Sequence, residues 1–274
     1  MKDVMTHALQ ALVPHRILMA AAVSLAMAAL CLLADSRQAW PFTGRDIALR
    51  MDQVDASRTG ESDIVMVVRR GEQSLVRAMN MKRKKYPDCE KQLIRFYEPS
   101  DVRDTMYLSW IYKEVGRDDD MWIYMPAESL VRRVSGGGKK GAFMRSDYAN
   151  EDIEKREVDD DRHTLLREEE LFGVACYVLE MLPVHLDKTN YSKRVVWIRK
   201  DIWLPARVDF YDLSGKPCKQ LIYGGYKQMQ GIWTSTRQMM KTLFGGSETL
   251  LETRHIRYDI DLSDEMFRHT DLKR

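Results

Sequence analysis

The stretch Asp118–Asp152, DDDMWIYMPAESLVRRVSGGGKKGAFMRSDYANED, decides how the rest of the chain is read. It holds an acidic turn, a short aromatic strand from Met121 to Met125, and a second strand ending in Arg132-Arg133-Val134. A glycine-lysine loop and Ser146-Asp147-Tyr148 follow. In the first strand Trp122 and Tyr124 oppose Met121, Ile123 and Met125, so both of its faces are apolar. A sheet with one wet face alternates between apolar and polar residues, and this strand does not. The triple Asp and triple Gly read as turns. Gly136 to Gly141 lacks the spacing of a phosphate loop and is expected as a mobile hairpin loop. Neither Asp118–Asp120 nor Asp159–Asp161 interleaves its carboxylates as a calcium loop does.

Outward from this stretch the period is two almost everywhere. On the N-terminal side, Thr43 to Val54 places apolar residues at 47, 51 and 54, which fits an amphipathic helix capped by Thr43. Strands are then expected at Ile64–Val68, Ser74–Lys84, Gln92–Tyr97 and Thr105–Tyr112. On the C-terminal side a polar, acidic stretch from Asn150 to Glu170 reads as helical or irregular. Strands resume at Gly173–Leu182, Ser192–Lys200, Ala206–Asp212, Lys219–Gly224, Ile232–Lys241 and Thr249–Tyr258, and Ser263 to Phe267 starts a final turn. About eleven strands in meander order make a sheet too wide to stay flat, so it curls. The expected fold is mainly β (α+β): a curved, incomplete antiparallel barrel covered by helices. Two apolar faces imply that something covers or fills its concave side.

Composition bounds the function. The net charge of +2 leaves no one-sign excess to neutralise phosphates, so a dedicated nucleic-acid binder is excluded. The basic run Lys82–Lys85 is too short to change that and reads as a solvated strand end. Ile17 to Ala34 is an apolar run preceded by Lys2, His15 and Arg16, which makes residues 1–36 a secretory signal peptide cleaved after Ala34 or Ser36. The run just reaches membrane-spanning length, so an uncleaved anchor is the alternative. Residues 37–274 are then a single exported domain. They contain Cys89, Cys176 and Cys218, an odd number without CxxC spacing, which points to no metal site and at most one disulfide. No GxSxG, HExxH or Cys-His pattern is present, and no cofactor fingerprint is either.

A resemblance is carried by an ordered set of residues. It runs through Phe96-Tyr97-Glu98-Pro99-Ser100-Asp101, Trp122-Ile123-Tyr124-Met125-Pro126, Arg132-Arg133-Val134 and Phe143 to Tyr148 with Asp152. It continues through Trp197-Ile198-Arg199-Lys200, Leu204 to Asp212, Gly231-Ile232-Trp233-Thr234 and the closing Phe267 and Leu272. This set resembles the LolA-like (LolA/LppX-like) outer-membrane lipoprotein-sorting family, in particular the branch beside RND- or MMPL-type exporters. Two departures stand out: Arg145, where the family pattern has Gly before Ser-Asp, and the long Gly-rich loop.

The resemblance implies a periplasmic, non-enzymatic carrier holding lipid or lipoprotein acyl chains in a hydrophobic cavity. Its partners are an RND/MMPL-type inner-membrane transporter and, transiently, a membrane surface. Expected acyl-chain contacts are Tyr97, Met106, Leu108, Trp122, Tyr124, Phe143, Tyr148, Trp197, Tyr211 and Trp233. The polar signature at the cavity mouth is Arg132, Arg133, Ser146, Asp147 and Asp152. The arginines are expected to pair with the aspartates and pin the bordering loop, or else to meet a lipid head group. An envelope hydrolase using two carboxylates remains open from residue types alone, because their separation is spatial. So does a structural module filled by its own side chains.

Overall fold

A computed structural model describes residues 41–273; the expected signal peptide and its cleavage bonds lie outside them. Thr43 opens helix α1 (Gly44–Gln53) with a capping box. Its hydroxyl accepts from the Asp46 amide at 3.2 Å, and the Asp46 carboxylate accepts from the Thr43 amide at 2.9 Å. Ile47 and Ala48 are the buried face of the helix. Gly44 meets the backbone of a strand so closely that a Cβ there would lie 2.7 Å from the His163 carbonyl oxygen. Only glycine permits that approach.

Two antiparallel meanders follow. The first runs β1 (Thr59–Arg70), β2 (Gln73–Lys85), β3 (Cys89–Glu98), β4 (Met106–Tyr112), β5 (Asp120–Met125) and β6 (Leu130–Val134). The second runs β7 (Asp161–Leu171), β8 (Val174–Pro183), β9 (Tyr191–Arg199), β10 (Pro205–Asp212), β11 (Pro217–Met229), β12 (Ile232–Thr242) and β13 (Ser247–Tyr258). β1 pairs with β13, so the order β6-β5-β4-β3-β2-β1-β13-β12-β11-β10-β9-β8-β7 is one thirteen-stranded sheet with β6 and β7 as its edges. Strand twist accumulated over that width curls the sheet into an open, incomplete barrel.

One element departs from the sequence reading. Asp161–Leu171 is strand β7, where helical or irregular structure was expected. As an edge strand it pairs only with β8, and its run of Arg167, Glu168, Glu169 and Glu170 is a charged border. Such charges protect an edge and erase the alternation that marks interior strands. The preceding segment is partly helical, with 3-10 turns at Asn150–Asp152 and Val158–Asp160. Gly136–Lys139 is a single helical turn, α2, instead of a hairpin loop, because β6 is an edge and the chain leaves the sheet there. The helical cover is correspondingly light: among the described residues no helix is long and apolar enough to cross a membrane.

The core lies on the inner face. Met66, Met79, Phe96, Tyr107, Leu179, Val196, Phe210 and Met240 pack there with Ile47 of α1 and with Phe143 and Tyr148 of the segment between β6 and β7. The second apolar face is outward and is covered locally. Phe267, Leu262 and Leu272 of the C-terminal tail pack over Met106, Leu108 and Trp122. A smaller outer cluster joins Cys176, Val178, Val195, Trp197 and Ala206. All three described cysteines are free thiols, and Cys89 and Cys176 are buried.

Candidate functional site

A chamber of about 380 Å³ lies between α1, the inner face of β8–β11 and the segment leading into β7. Its sheet side is apolar: Met181, Val196, Val208, Phe210, Leu221 and Tyr223, with Ala48 and Met51 from α1. Strand alternation puts them there, since Arg207 and Asp209 point outward while Val208 and Phe210 join the core. The facing wall, Glu151 to Asp161, carries most of the charge, while Arg194 interrupts the apolar sheet side and Asp52 of α1 and His163 of β7 add polar groups. A second basin of about 450 Å³ lies beyond it, lined by Gly116, Asp118, Asp119, Arg133, Lys139, His185 and Lys188. Glu151, Glu154, Lys155 and Arg156 border both spaces, so this stretch is a partition between an apolar chamber and a polar basin.

Ion pairs hold the partition. Arg156 grips Asp161 through two hydrogen bonds of 2.6 and 2.8 Å. Burial works against the charge of Arg156, but Asp161 outweighs it and raises its pKa. Lys155 reaches Asp52 of α1 at 2.7 Å, and Lys139 reaches Glu154 at 2.9 Å. Lys219 and Tyr191 meet the same Asp152 oxygen at 3.3 and 2.9 Å. Arg194 lies 3.5 Å from Glu151; its burial, together with the like charge of Arg156, pushes its pKa down. Burial also raises the carboxyl pKa values of Glu154 and Glu157 against the pull of Lys139 and Lys155. The balance is incomplete. Asp152 Oδ1, Glu154 Oε1, His163 Nδ1 and Arg194 Nη1 are buried without a hydrogen-bond partner, and Glu157 Oε1 has only the Lys155 ammonium, at 3.4 Å.

Comparison with known proteins places this architecture. A protein-family model whose description reads only "uncharacterized protein" matches residues 88–274. A DUF1329 family protein from Desulfovibrio piger is 42% identical with a TM-score of 0.82, covering 84% of this chain and 97% of its own. The chain belongs to the DUF1329 family. A protein domain named for outer-membrane lipoprotein sorting, from Vibrio parahaemolyticus, is 31% identical with a TM-score of 0.80, covering 84% of this chain and 98% of its own. A LolA superfamily protein from Nitrosomonas europaea, 21% identical over 83% of this chain and 98% of its own, shares the fold with a TM-score of 0.67. No curated protein matches. The lipoprotein-sorting resemblance read from the sequence agrees with the 31% identical relative, and the LolA neighbour shares the fold; neither bears on the RND- or MMPL-associated branch.

In this DUF1329 protein the expected acyl-contact residues are spread over both faces. Met106, Leu108, Trp122 and Tyr124 face outward beneath the C-terminal tail, where Trp122 stacks on His269 with ring centres 4.8 Å apart. Trp197 and Tyr211 belong to the other outer cluster, with Arg207 lying 4.5 Å over the Trp197 ring. Tyr97 and Trp233 are exposed. Phe143 and Tyr148 are inner-face residues locked in the core, with Phe143 5.0 Å from the ring of Tyr107. None of the ten lines the chamber.

Among the polar signature, Asp152 borders the chamber and Arg133 the basin. The expected arginine–aspartate pairing is corrected. Arg132 lies 3.8 Å from Glu128, and Arg133 donates to Asp120 at 2.9 Å, because both sit on the exposed edge strand β6 beside those acids. Asp147 instead accepts from the hydroxyls of Thr242 at 2.8 Å, Thr249 at 2.6 Å and Ser247. Ser146 Oγ donates to the Phe143 carbonyl at 2.6 Å. Arg145, the departure from the family's glycine, has φ of +58°, and Met144 before it has +47°. The loop keeps a glycine-like backbone without the glycine. It is held by Arg70, which donates to the Arg145 carbonyl at 2.8 Å, and by Arg77, which donates to that of Met144.

Sequence reasoning missed the chamber's own wall. The alternation of charged 207 and 209 with apolar 208 and 210 was a readable signal for β10. Glu154 and Arg194 carried no such signal, since their partners lie on other elements.

Proposed function

We propose that this protein is a non-enzymatic carrier that binds lipid or lipoprotein acyl chains in the chamber and exchanges them with an inner-membrane RND- or MMPL-type transporter or with the outer membrane. In this reading residues 1–36 are the export signal, residues 37–274 the carrier domain, and the periplasm its compartment. The observation that carries it is the chamber itself. Its volume of about 380 Å³ falls within the range of roughly 300–1,000 Å³ usual for small-molecule sites. Most of its sheet side is apolar, and its charge is concentrated in the Glu151–Asp161 stretch, with Arg194, Asp52 and His163 the exceptions. The relative named for lipoprotein sorting adds support at the level of the family.

The energetics suit carriage. Each methylene removed from water gains about 0.8 kcal/mol, so a sixteen-carbon chain is worth roughly 12 kcal/mol gross. Release then requires a wall that gives way. Among the described residues nine buried side-chain atoms make no hydrogen bond to the protein, and five of them belong to residues bordering the chamber, Glu157 Oε1 among them with only an ion pair to Lys155. Buried polar groups without partners are costly, so displacing the partition lets water reach them and offsets the ion pairs that break. The chamber's carboxylates are mostly engaged by Arg156, Lys139, Lys219 and Arg194, which fits holding more than acid–base chemistry.

Titration with a dansyl-labelled undecanoate probe tests the reading. Saturable binding to one site is expected, weakened about tenfold when Val208→Trp or Leu221→Phe fills the chamber, a loss of about 1.4 kcal/mol. Circular dichroism establishes that the variants fold. A folded wild-type protein that binds no probe overturns the carrier reading.

A further inference from the structure

At one end of the sheet two neighbouring turns project apolar side chains into water. Leu213 in the β10–β11 turn is 58% exposed, and Leu243 and Phe244 in the β12–β13 turn are 46% and 73% exposed. No other large hydrophobic among the described residues is as exposed as Phe244. The turns are adjacent because β13, β12, β11 and β10 are consecutive in the sheet, and β1 with its turn to β2 lies next to β13. The Leu243 amide donates to the Cys218 carbonyl at 2.9 Å, which ties one turn to the other. Gly245 and Gly246, with φ of +128° and +65°, set the turn that holds Phe244 outward.

The charges around these tips are biased. Arg69 and Arg70 stand on the β1–β2 turn, Lys216 on the β10–β11 turn and Lys241 at the end of β12. Of the nearby acids, Asp212 is consumed by its own turn, accepting from the amides of Ser214 and Lys216 at 2.9 and 3.0 Å. Glu248 is shared by Arg69 at 3.1 Å and Lys241 at 3.7 Å. Glu72 is the remaining carboxylate of the three turns. Arg145 adds a further cation, since its carbonyl is held by Arg70.

We infer that this end of the barrel docks on an anionic lipid surface. Phe244, Leu243 and Leu213 enter the boundary between head groups and acyl chains, and the flanking arginines and lysines meet the phosphates. Separate apolar projections ringed by cations match a fluid interface, which combines apolar depth with negative surface charge. A cleft of about 420 Å³ opens beside them, lined largely by polar residues such as Arg70, Asp212, Thr242 and Ser247, and the three apolar side chains stand outside it. The inference stands on residues remote from the chamber wall and holds whatever the chamber carries.

Co-sedimentation of the exported domain with vesicles tests it. The solved relatives are matched over 97% and 98% of their lengths by 84% of this chain, so the domain folds without the N-terminal segment. Wild type is expected to bind vesicles of phosphatidylglycerol and phosphatidylcholine more tightly than phosphatidylcholine alone, and less at high salt. Phe244→Asp is expected to lower the partition at least about tenfold, and Lys216→Glu with Lys241→Glu to remove the preference for the anionic lipid. Phe244→Trp is expected to retain binding and to shift its fluorescence to the blue on vesicles. Absence of binding, or binding indifferent to Phe244→Asp, overturns the inference. A soluble dimer dissolved by Phe244→Asp without vesicle binding also overturns it and assigns the tips to a second copy.

Discussion

Asp147 is a buried carboxylate whose partners are three hydroxyls, with the Thr249 hydroxyl also accepting from its amide at 3.0 Å. Removing the carboxylate leaves the buried Thr249 hydroxyl without its acceptor, while the half-buried Thr242 and Ser247 can turn to water, so Asp147→Ala is expected to lose roughly 1–3 kcal/mol in chemical denaturation. Arg145 tests the backbone of the same loop. A left-handed conformation costs a non-glycine residue about 1–2 kcal/mol, so Arg145→Gly is expected to hold or gain stability while Arg145→Val loses it. Glu154 gives a pH signature. Burial raises its pKa above the ordinary 4.5, with Lys139 opposing. The folded protein therefore binds that proton more tightly than the unfolded chain, and the resulting stabilisation is lost as pH rises through the raised value. Denaturation midpoints of Glu154→Gln relative to wild type are expected to climb from pH 4 to pH 7 (approximate limits set by that direction); a constant difference contradicts the assignment. At this scale the sequence was legible where a side chain serves its own neighbourhood, as Thr43 does in capping α1. It was opaque where partners come from afar, as Asp147 with hydroxyls about a hundred residues away in β12 and β13.

Among the elements, α1 and β7 form the pair that closes the chamber. Gly44→Ala places a Cβ 2.7 Å from the His163 carbonyl oxygen of β7, and is expected to cost about 1–3 kcal/mol in thermal unfolding. Phe267 anchors the C-terminal tail over Leu108 and Trp122 and is fully buried. Its replacement by Ala is expected to cost about 3–5 kcal/mol without altering the chamber. The interior strands were legible because their apolar periodicity is imposed by packing on both sides. β7 was not, since an edge needs charges more than it needs alternation. Two apolar faces in β5 announced a cover; the sequence could not say that the C-terminal tail supplies it outside while the segment from Phe143 to Val158 fills the inside.

For the whole molecule, thirteen strands curl around a core that stops short of filling the barrel, leaving a chamber walled on one side by a charged segment. The fold class followed from strand spacing and family resemblance. The chamber wall did not, because choosing between the two faces of an apolar strand requires its register. Carriage and release both rest on that wall, so its contents are the most direct test. The protein, expressed in a bacterial host and purified without detergent, is extracted with organic solvent and its lipids are quantified by mass spectrometry against protein. The carrier account predicts a near-stoichiometric acylated amphiphile in the wild type and its depletion in folded Val208→Trp. A lipid-free extract from folded wild type, or equal lipid in both, would contradict it.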